Sequence, residues 1–429
     1  MPPILKRQAL VSTLAAAFFC LFFSGKMPSP ANPPAWGFFA HRRINRLAVL
    51  TLPPEMGIFF KKNIEFLTEH ATDPDLRRYL DPHEAPRHFI DLDVWQTPPP
   101  RGWFEALLLY SDWFAVLDGH DTVRVFVAAA EEQRGIRFDT MLPIWETRNG
   151  QFARLNSLNI KQLSQFFKSE MVPHFYDEKW KIPKDSLQAW FDQSGLGESC
   201  VQQGYAIEHL TAHGIVPWHL ALMQRRLTDA FREKNARKTL RLAAEIGHYI
   251  GDAHVPLHTS SNYDGQKTGQ NGLHAFWESR IPELFADKNW DFFVGKPEYL
   301  ADPPTFFWET VFESHRLADS VFLAEKSLRT KFPADRQLVF DERNGQVVLT
   351  PSREYAAAFQ RDLGGMVERR MRAAIHAVSS AWYTAWVDAG QPDLSEFGDN
   401  KMSELDKISA DSLAKAAASG EVLGRPEGN

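Results

Sequence analysis

Cysteine is nearly absent: Cys20 and Cys200 are the two in the chain. Cys20 falls in a segment expected to be lost on export, so one thiol remains and a disulfide framework is excluded. Long apolar runs are missing beyond the N-terminus, and no later stretch reads as a membrane span. Excess positive charge is missing as well. With 48 Lys and Arg against 54 Asp and Glu the formal charge is −6, whereas a protein that holds nucleic acid by counterion release alone is basic. If the chain acts on phosphates, its positive charge must be local, and bound metal ions would supply it. Internal repeats are absent and strand-like alternation is rare, which argues against repeat architectures and a mainly β fold.

What is present is ordinary globular composition, with 44% hydrophobic and 24% charged residues among 429, enough for one large domain or two average ones. The N-terminus has the pattern of an export signal. Lys6 and Arg7 form a basic start, Ala9–Ser24 carries no charge, and a Pro-rich stretch from Met27 to Ala35 follows. Cleavage after Ala35 would make Trp36 the first mature residue and place the protein in the periplasm or outside the cell.

Beyond Trp36 the periodicity is helical. Ile44, Leu47 and Ala48 share a face until Pro53-Pro54 ends the run. A helix is expected over Glu55–Glu69, long runs over 218–252, and another over 366–388. In the last, Met371, Ile375, Val378, Trp382 and Trp386 form one stripe. Residues 338–350 could make one small hairpin about Asn344-Gly345. Residues 98–205 mix prolines, aromatics and short helical stretches without a chemical motif and are taken as a long insertion. Residues 397–429 are small, polar and charged, as in a frayed tail. The expected fold is all-α, a single large helical domain over 36–396.

The chemistry concentrates in His248–His258. His248 and Asp252 stand four apart, on one helix face. Pro256 stops the helix and His258 follows the stop. Across a Gly- and Asn-rich loop, Ser260–Gly272, come His274 and Glu278, again four apart. One His-x3-Asp is usually a surface pair or a satisfied core histidine. Two such pairs, linked by a histidine just past a proline, match the imidazole and carboxylate donors of a metal centre. Upstream, Asp73 in Thr72-Asp73-Pro74-Asp75 and His88 in Pro86-Arg87-His88-Phe89-Ile90-Asp91 are weaker candidates. His41 joins them if the freed amine and carbonyl of Trp36 bind metal beside it.

The set resembles the superfamily that holds the zinc-dependent single-strand nucleases of fungi and plants and the bacterial zinc-dependent phospholipases C. That resemblance implies an all-helical fold around a trinuclear zinc cleft. By position, Asp73, His88, His248 and Asp252 would hold the first ion, and His258, His274 and Glu278 the second. The Trp36 amine and carbonyl, His41 and Asp252 would hold the third. Asp73, His88, His248 and Asp252 would serve catalysis, with water activated at the metals as the nucleophile.

The resemblance covers about 36–95 and 240–285. Trp36-Gly37-x3-His41 has the nucleases' short spacing, and Leu273-His274-x2-Trp277 is similar to their pattern. Phe89 and Asp91 match positions that stack on and hydrogen-bond a base. Core packing is the competing role for Phe89. Single-stranded DNA, RNA or nucleotides are then the expected substrates, and nothing calls for an obligate protein partner. Glu278, where the nucleases have Asp and the phospholipases Glu, favours phospholipid as an alternative. So does the supply of 13 Trp and 32 Phe. A non-catalytic, zinc-stabilised binding module is the third reading. Arg87 and Arg280 are candidates for phosphate contact or for plain ion pairs. The basic run Arg225–Arg241 reads first as a solvated helix face.

Overall fold

The computed structural model of the chain describes residues 38–117 and 201–398 except 96, 104–105, 108–109 and 344–345. It also describes four short strands between 118 and 200, and residues 411–413, 415–416 and 422–425. The expected export signal and Trp36 lie outside the described residues, as does the Asn344-Gly345 turn.

The fold is mostly helical, as the periodicity predicts. The N-terminal helices are α1 (Phe38–Thr51), α2 (Pro54–Lys62), α3 (Ile64–Glu69) and α4 (Asp73–Arg77). α1 stops where the double proline begins, and Pro54 then sits in the first turn of α2, where its missing N–H costs nothing. The helix expected over 55–69 is two helices, because Asn63 leaves the helical region at φ −110° and ψ 18°.

Next in the chain come the strands β1 (Ser111–Leu117), β2 (Thr122–Phe126), β3 (Ile144–Glu146), β4 (Phe152–Arg154), β5 (Lys179–Ile182) and β6 (Val201–Glu208). β1 pairs antiparallel with β2 and β6, and β5 with β6, giving the order β2-β1-β6-β5; β3 and β4 pair separately. The stretch read as short helical pieces therefore carries a sheet. Trp113-Phe114-Ala115-Val116 is a short apolar run of the kind that periodicity cannot assign to strand or helix.

The second helical set is α5 (Val216–Arg232), α6 (Ala236–Ala253), α7 (Leu273–Ala275), α8 (Ile281–Asn289) and α9 (Pro303–Lys331). The hairpin β7 (Leu338–Arg343) and β8 (Gln346–Pro351) follows, then α10 (Arg353–Asp362) and α11 (Met366–Asp388). α6 is the central helix. Asn235 caps it by accepting from the Lys238 N–H at 3.0 Å. It is buried nearly all round and packs on α5, α1 and α11. The stripe expected on α11 is buried in full, and Trp382 donates from its indole to the Ala243 carbonyl at 3.0 Å. Asn45 in α1, fully buried, donates to the carbonyls of Leu67 at 3.2 Å and Ala244 at 2.9 Å, tying α3 and α6 to α1. Most cations of the basic run are engaged: Arg232, Lys234, Lys238 and Arg241 pair with Asp229, Glu396, Glu233 and Glu245.

The stretch from 397 on is not frayed throughout. Phe397 is buried against Phe59 and Phe231, and Leu423–Arg425 is seated against the site described next.

Candidate metal centre

α6 supplies the floor of the site. His248 and Asp252, one helical turn apart, are both buried, and His248 Nε2 lies 3.3 Å from Asp252 Oδ2. The helix stops at Ala253, and Pro256 begins a 3₁₀ turn, Pro256–Thr259, that carries His258 back over Asp252; His258 Nε2 is 3.7 Å from Asp252 Oδ1. A second short turn, Ala85–His88, brings His88 Nδ1 to 2.9 Å from Asp252 Oδ2 and 3.1 Å from His248 Nε2. The Ile90 amide bonds the His258 carbonyl at 2.9 Å, which locks these two turns together.

The other side is built by α7 and the π turn that follows it. Asp264 accepts from the amides of Gly272 at 2.9 Å and His274 at 3.1 Å, fixing the start of α7. The π turn Phe276–Arg280 carries Glu278, whose Oε2 lies 2.8 Å from His274 Nε2 and 3.3 Å from His258 Nε2. From α1, His41 Nε2 reaches Glu278 Oε1 at 3.1 Å and Asp252 Oδ1 at 3.3 Å. It can do so because Gly251 leaves room for its ring, which is stacked on His248 with centroids 3.9 Å apart.

One ligand expected from the sequence is misplaced. Asp73 begins α4 and turns outward to His70 Nδ1 at 2.7 Å, with its side chain one-fifth exposed. Asp75, two residues further round the helix start, points inward: its Oδ1 is 3.6 Å from His248 Nε2 and 3.8 Å from His88 Nδ1. In Asp73-Pro74-Asp75 both carboxylates are plausible by type, and only the direction of the first helical turn separates them.

Buried triads with ligand atoms within 4.8 Å of one another are His88, His248 and Asp252; His258, His274 and Glu278; His41, Asp252 and Glu278; and His41, Asp75 and His248. They could hold metal ions. Two observations favour that use. His248 Nδ1 faces the Ala71 carbonyl at 2.8 Å and His274 Nδ1 the Tyr263 carbonyl at 3.2 Å, so each would donate there and present Nε2 as a lone pair. Asp252 and Glu278, almost wholly buried, have no Lys or Arg within 4.0 Å among the described residues. Buried carboxylates so placed call for a cation.

The electrostatics of the chain alone are consistent. Burial disfavours charge on Asp252 and Glu278, yet the surrounding histidines hold both carboxyls well below the usual range. Burial likewise opposes a proton on His88, but Asp252 and Glu84 raise it to about 9. His41 is raised well above the usual imidazole value, burial being outweighed by Asp252 and Glu278. Behind His88 sits Glu84, which accepts from Arg77 at 3.1 Å, Arg87 at 2.5 Å and the Tyr249 hydroxyl. Arg87 is thus an ion-pair residue, and so is Arg280, bound to Asp341 at 2.8 Å and the Pro351 carbonyl at 3.0 Å.

Phe89 and Asp91 leave the His88 turn together. The Phe89 carbonyl accepts from the Val216 amide at 3.1 Å, and Gly214, at φ +84°, lets the chain pass so close that a Cβ there would lie 2.2 Å from that carbonyl. Phe89 is buried, but part of its cover is Arg425, whose guanidinium carbon lies 4.1 Å from its ring centroid. Asp91 accepts from Arg425 Nη1 at 2.7 Å. Burial raises the Asp91 carboxyl, and Arg425 partly offsets this. Tyr263 closes the other side, 3.7 Å from its ring centroid to the same guanidinium carbon. Neither Tyr263 nor Arg425 carries a sequence signal, since the fold alone brings Arg425 to the rings of Phe89 and Tyr263.

Comparison with models of protein families, with curated proteins and with solved structures finds no match.

Proposed function

We propose that the protein is an exported, zinc-dependent phosphodiesterase, with single-stranded nucleic acid as the favoured substrate. The observation that carries this reading is the convergence of buried, overlapping His and carboxylate triads beside an aromatic and carboxylate pair. A purely structural zinc needs one closed four-ligand site; shared ligands across several adjoining triads suit a multinuclear catalytic centre.

His258, His274 and Glu278 would hold one ion. His88, His248 and Asp252, with Asp75, would hold another. His41 and Asp252, joined by the amine and carbonyl of Trp36 after signal removal, would hold a third. Bound zinc supplies Lewis acidity, which acidifies water near neutral pH and offsets phosphate charge. The chain's own part is to fix that chemistry. The Ala71 and Tyr263 carbonyls set the tautomers of His248 and His274, and the Glu84 cluster braces His88. Phe89 would stack on a base of any identity, as sequence-tolerant single-strand binding requires, and Asp91 would accept a base N–H.

Phospholipid is the second reading, and one observation favours it. Phe89, Tyr263 and Asp91 surround a guanidinium, and two rings with a carboxylate also suit a quaternary ammonium headgroup. A zinc-stabilised binding module remains the third.

The deciding experiment measures zinc per chain by elemental analysis. It then assays single-stranded DNA and RNA in one arm and phosphatidylcholine micelles in the other, with His248→Ala, Asp252→Ala as control. Nucleic-acid cleavage that the control loses supports the nuclease. Headgroup release instead makes the protein a phospholipase C. Fewer than about two zincs per chain and no hydrolysis in either arm would leave the binding module.

A further inference from the structure

The contacts of Leu423-Gly424-Arg425 are those of a ligand rather than of a loose terminus. Arg78 grips the segment at both ends: its carbonyl accepts from the Leu423 amide at 2.8 Å, and its Nη2 donates to the Arg425 carbonyl at 2.5 Å. Between them Gly424 adopts φ +86° and presses so near the 85–88 turn that a Cβ there would lie 2.7 Å from Ala85 Cβ. Such a conformation and approach need glycine. The turn delivers the Arg425 side chain between the rings of Phe89 and Tyr263, where it donates to Asp91 at 2.7 Å and to the Ser260 carbonyl at 2.7 Å. A planar group stacked on an aromatic ring, with N–H donors turned to a carboxylate, has the same recognition features as a nucleobase amine. Arg78 also lies 3.9 Å from Asp75, so the segment is clipped directly beside a candidate metal ligand.

We propose that Leu423–Arg425 is a built-in competitor for the cleft: Arg425 fills the subsite of Phe89, Tyr263 and Asp91, and substrate enters only when the tail leaves. The inference rests on the phosphodiesterase reading for its consequence, but not for the docking itself. A tail docked about nine-tenths of the time would weaken apparent substrate affinity about tenfold without touching the chemical step.

The test uses the full chain, zinc-loaded, as wild type, Arg425→Glu and Gly424→Ala. The second variant undocks the tail through its backbone while keeping arginine at position 425. Hydrogen exchange at Leu423 reads docking directly, and steady-state kinetics on single-stranded DNA and on phosphatidylcholine micelles read competition. The expected result is a protected Leu423 amide in wild type and loss of protection in both variants. KM should fall about tenfold, with kcat within about twofold. An unprotected Leu423 in wild type overturns the proposal, and so does an unchanged KM in variants whose tails have come free. If no chain hydrolyses either substrate, the functional reading falls, and exchange alone decides on the competitor. Release of Leu423 by millimolar adenosine 5′-monophosphate or phosphocholine then upholds it, and persistence of protection with both probes overturns it.

Discussion

Gly251→Ala isolates the packing that holds His41 in the candidate metal centre. A Cβ built on Gly251 falls 2.8 Å from His41 Nδ1 and 3.0 Å from its Cε1. To regain ordinary contact at 3.4 Å the ring must retreat by about 0.6 Å, several times the ~0.2 Å tolerance of zinc–ligand distances. Retreat breaks its stacking on His248 and carries Nε2 off its contacts with Glu278 and Asp252. Stability should hardly report this. Alanine gains about 1 kcal/mol of helix propensity over glycine, while overpacking costs about 1–3 kcal/mol, so the net change is within about 2 kcal/mol. Metal should report it strongly: zinc affinity is expected to fall at least tenfold, with the melting temperature of the metal-free chain moving by only a few degrees. Gly57→Ala in α2 is the matched control, since its nearest atom would be 3.8 Å away, and it should leave zinc affinity unchanged. Competition titration of both variants against a chromogenic zinc chelator makes the measurement. Wild-type affinity in Gly251→Ala would refute the argument that His41 is a ligand held in place by this gap.

Two further expectations concern the same centre. Asp75→Asn should lower zinc content by about one ion per chain in elemental analysis while Asp73→Asn leaves it unchanged, because only Asp75 faces His248 and His88. Metal-free and zinc-loaded chains should show opposite slopes of stability with pH. In the metal-free chain the His88 proton, raised from 6.5 to about 9, contributes roughly 3 kcal/mol. That contribution is complete below about pH 6.5 and is lost as pH rises through about 9. In the loaded chain the imidazoles must be neutral, so stability falls on acidification as metal is released. Denaturant unfolding across this range checks both, and parallel slopes would sink the prediction.

The acidic balance of the chain takes on a local meaning at the site. Three arginines near the centre, Arg77, Arg87 and Arg280, are committed to Glu84, Glu245 and Asp341. Asp75, Asp252 and Glu278 converge with histidines as their main company. In the metal-free chain the protons on His41 and His88 only partly offset these carboxylates, and metal ions would add the positive charge that a phosphodiester needs. If the chain acts on phosphates, metal ions held by these few residues would supply positive charge where the substrate binds.

Legibility in the sequence followed the range of the interactions. The helix Met366–Asp388 was readable because its large apolar residues recur with period 3.6, a local property, although the fold buries more of it than that stripe. So were the pairs His248 with Asp252 and His274 with Glu278, because one helical turn fixes which side chains meet. Asp75 was lost to Asp73 because the choice depends on where helix α4 begins, and element boundaries are the least local feature of a helix. The sheet of 111–208 escaped for a stronger version of the same reason. β1 takes one of its partners from β6, far along the chain, and neither strand alternates clearly. Arg425 is the limiting case. Its neighbours Phe89, Asp91, Ser260 and Tyr263 come from two loops that only α6 and its flanking turns bring together. In composition the segment is polar and glycine-bearing, which is what a disordered end looks like. What distinguishes it is geometry, a left-handed glycine against Ala85 and a guanidinium between two rings, and geometry of that kind exists only once the chain has folded.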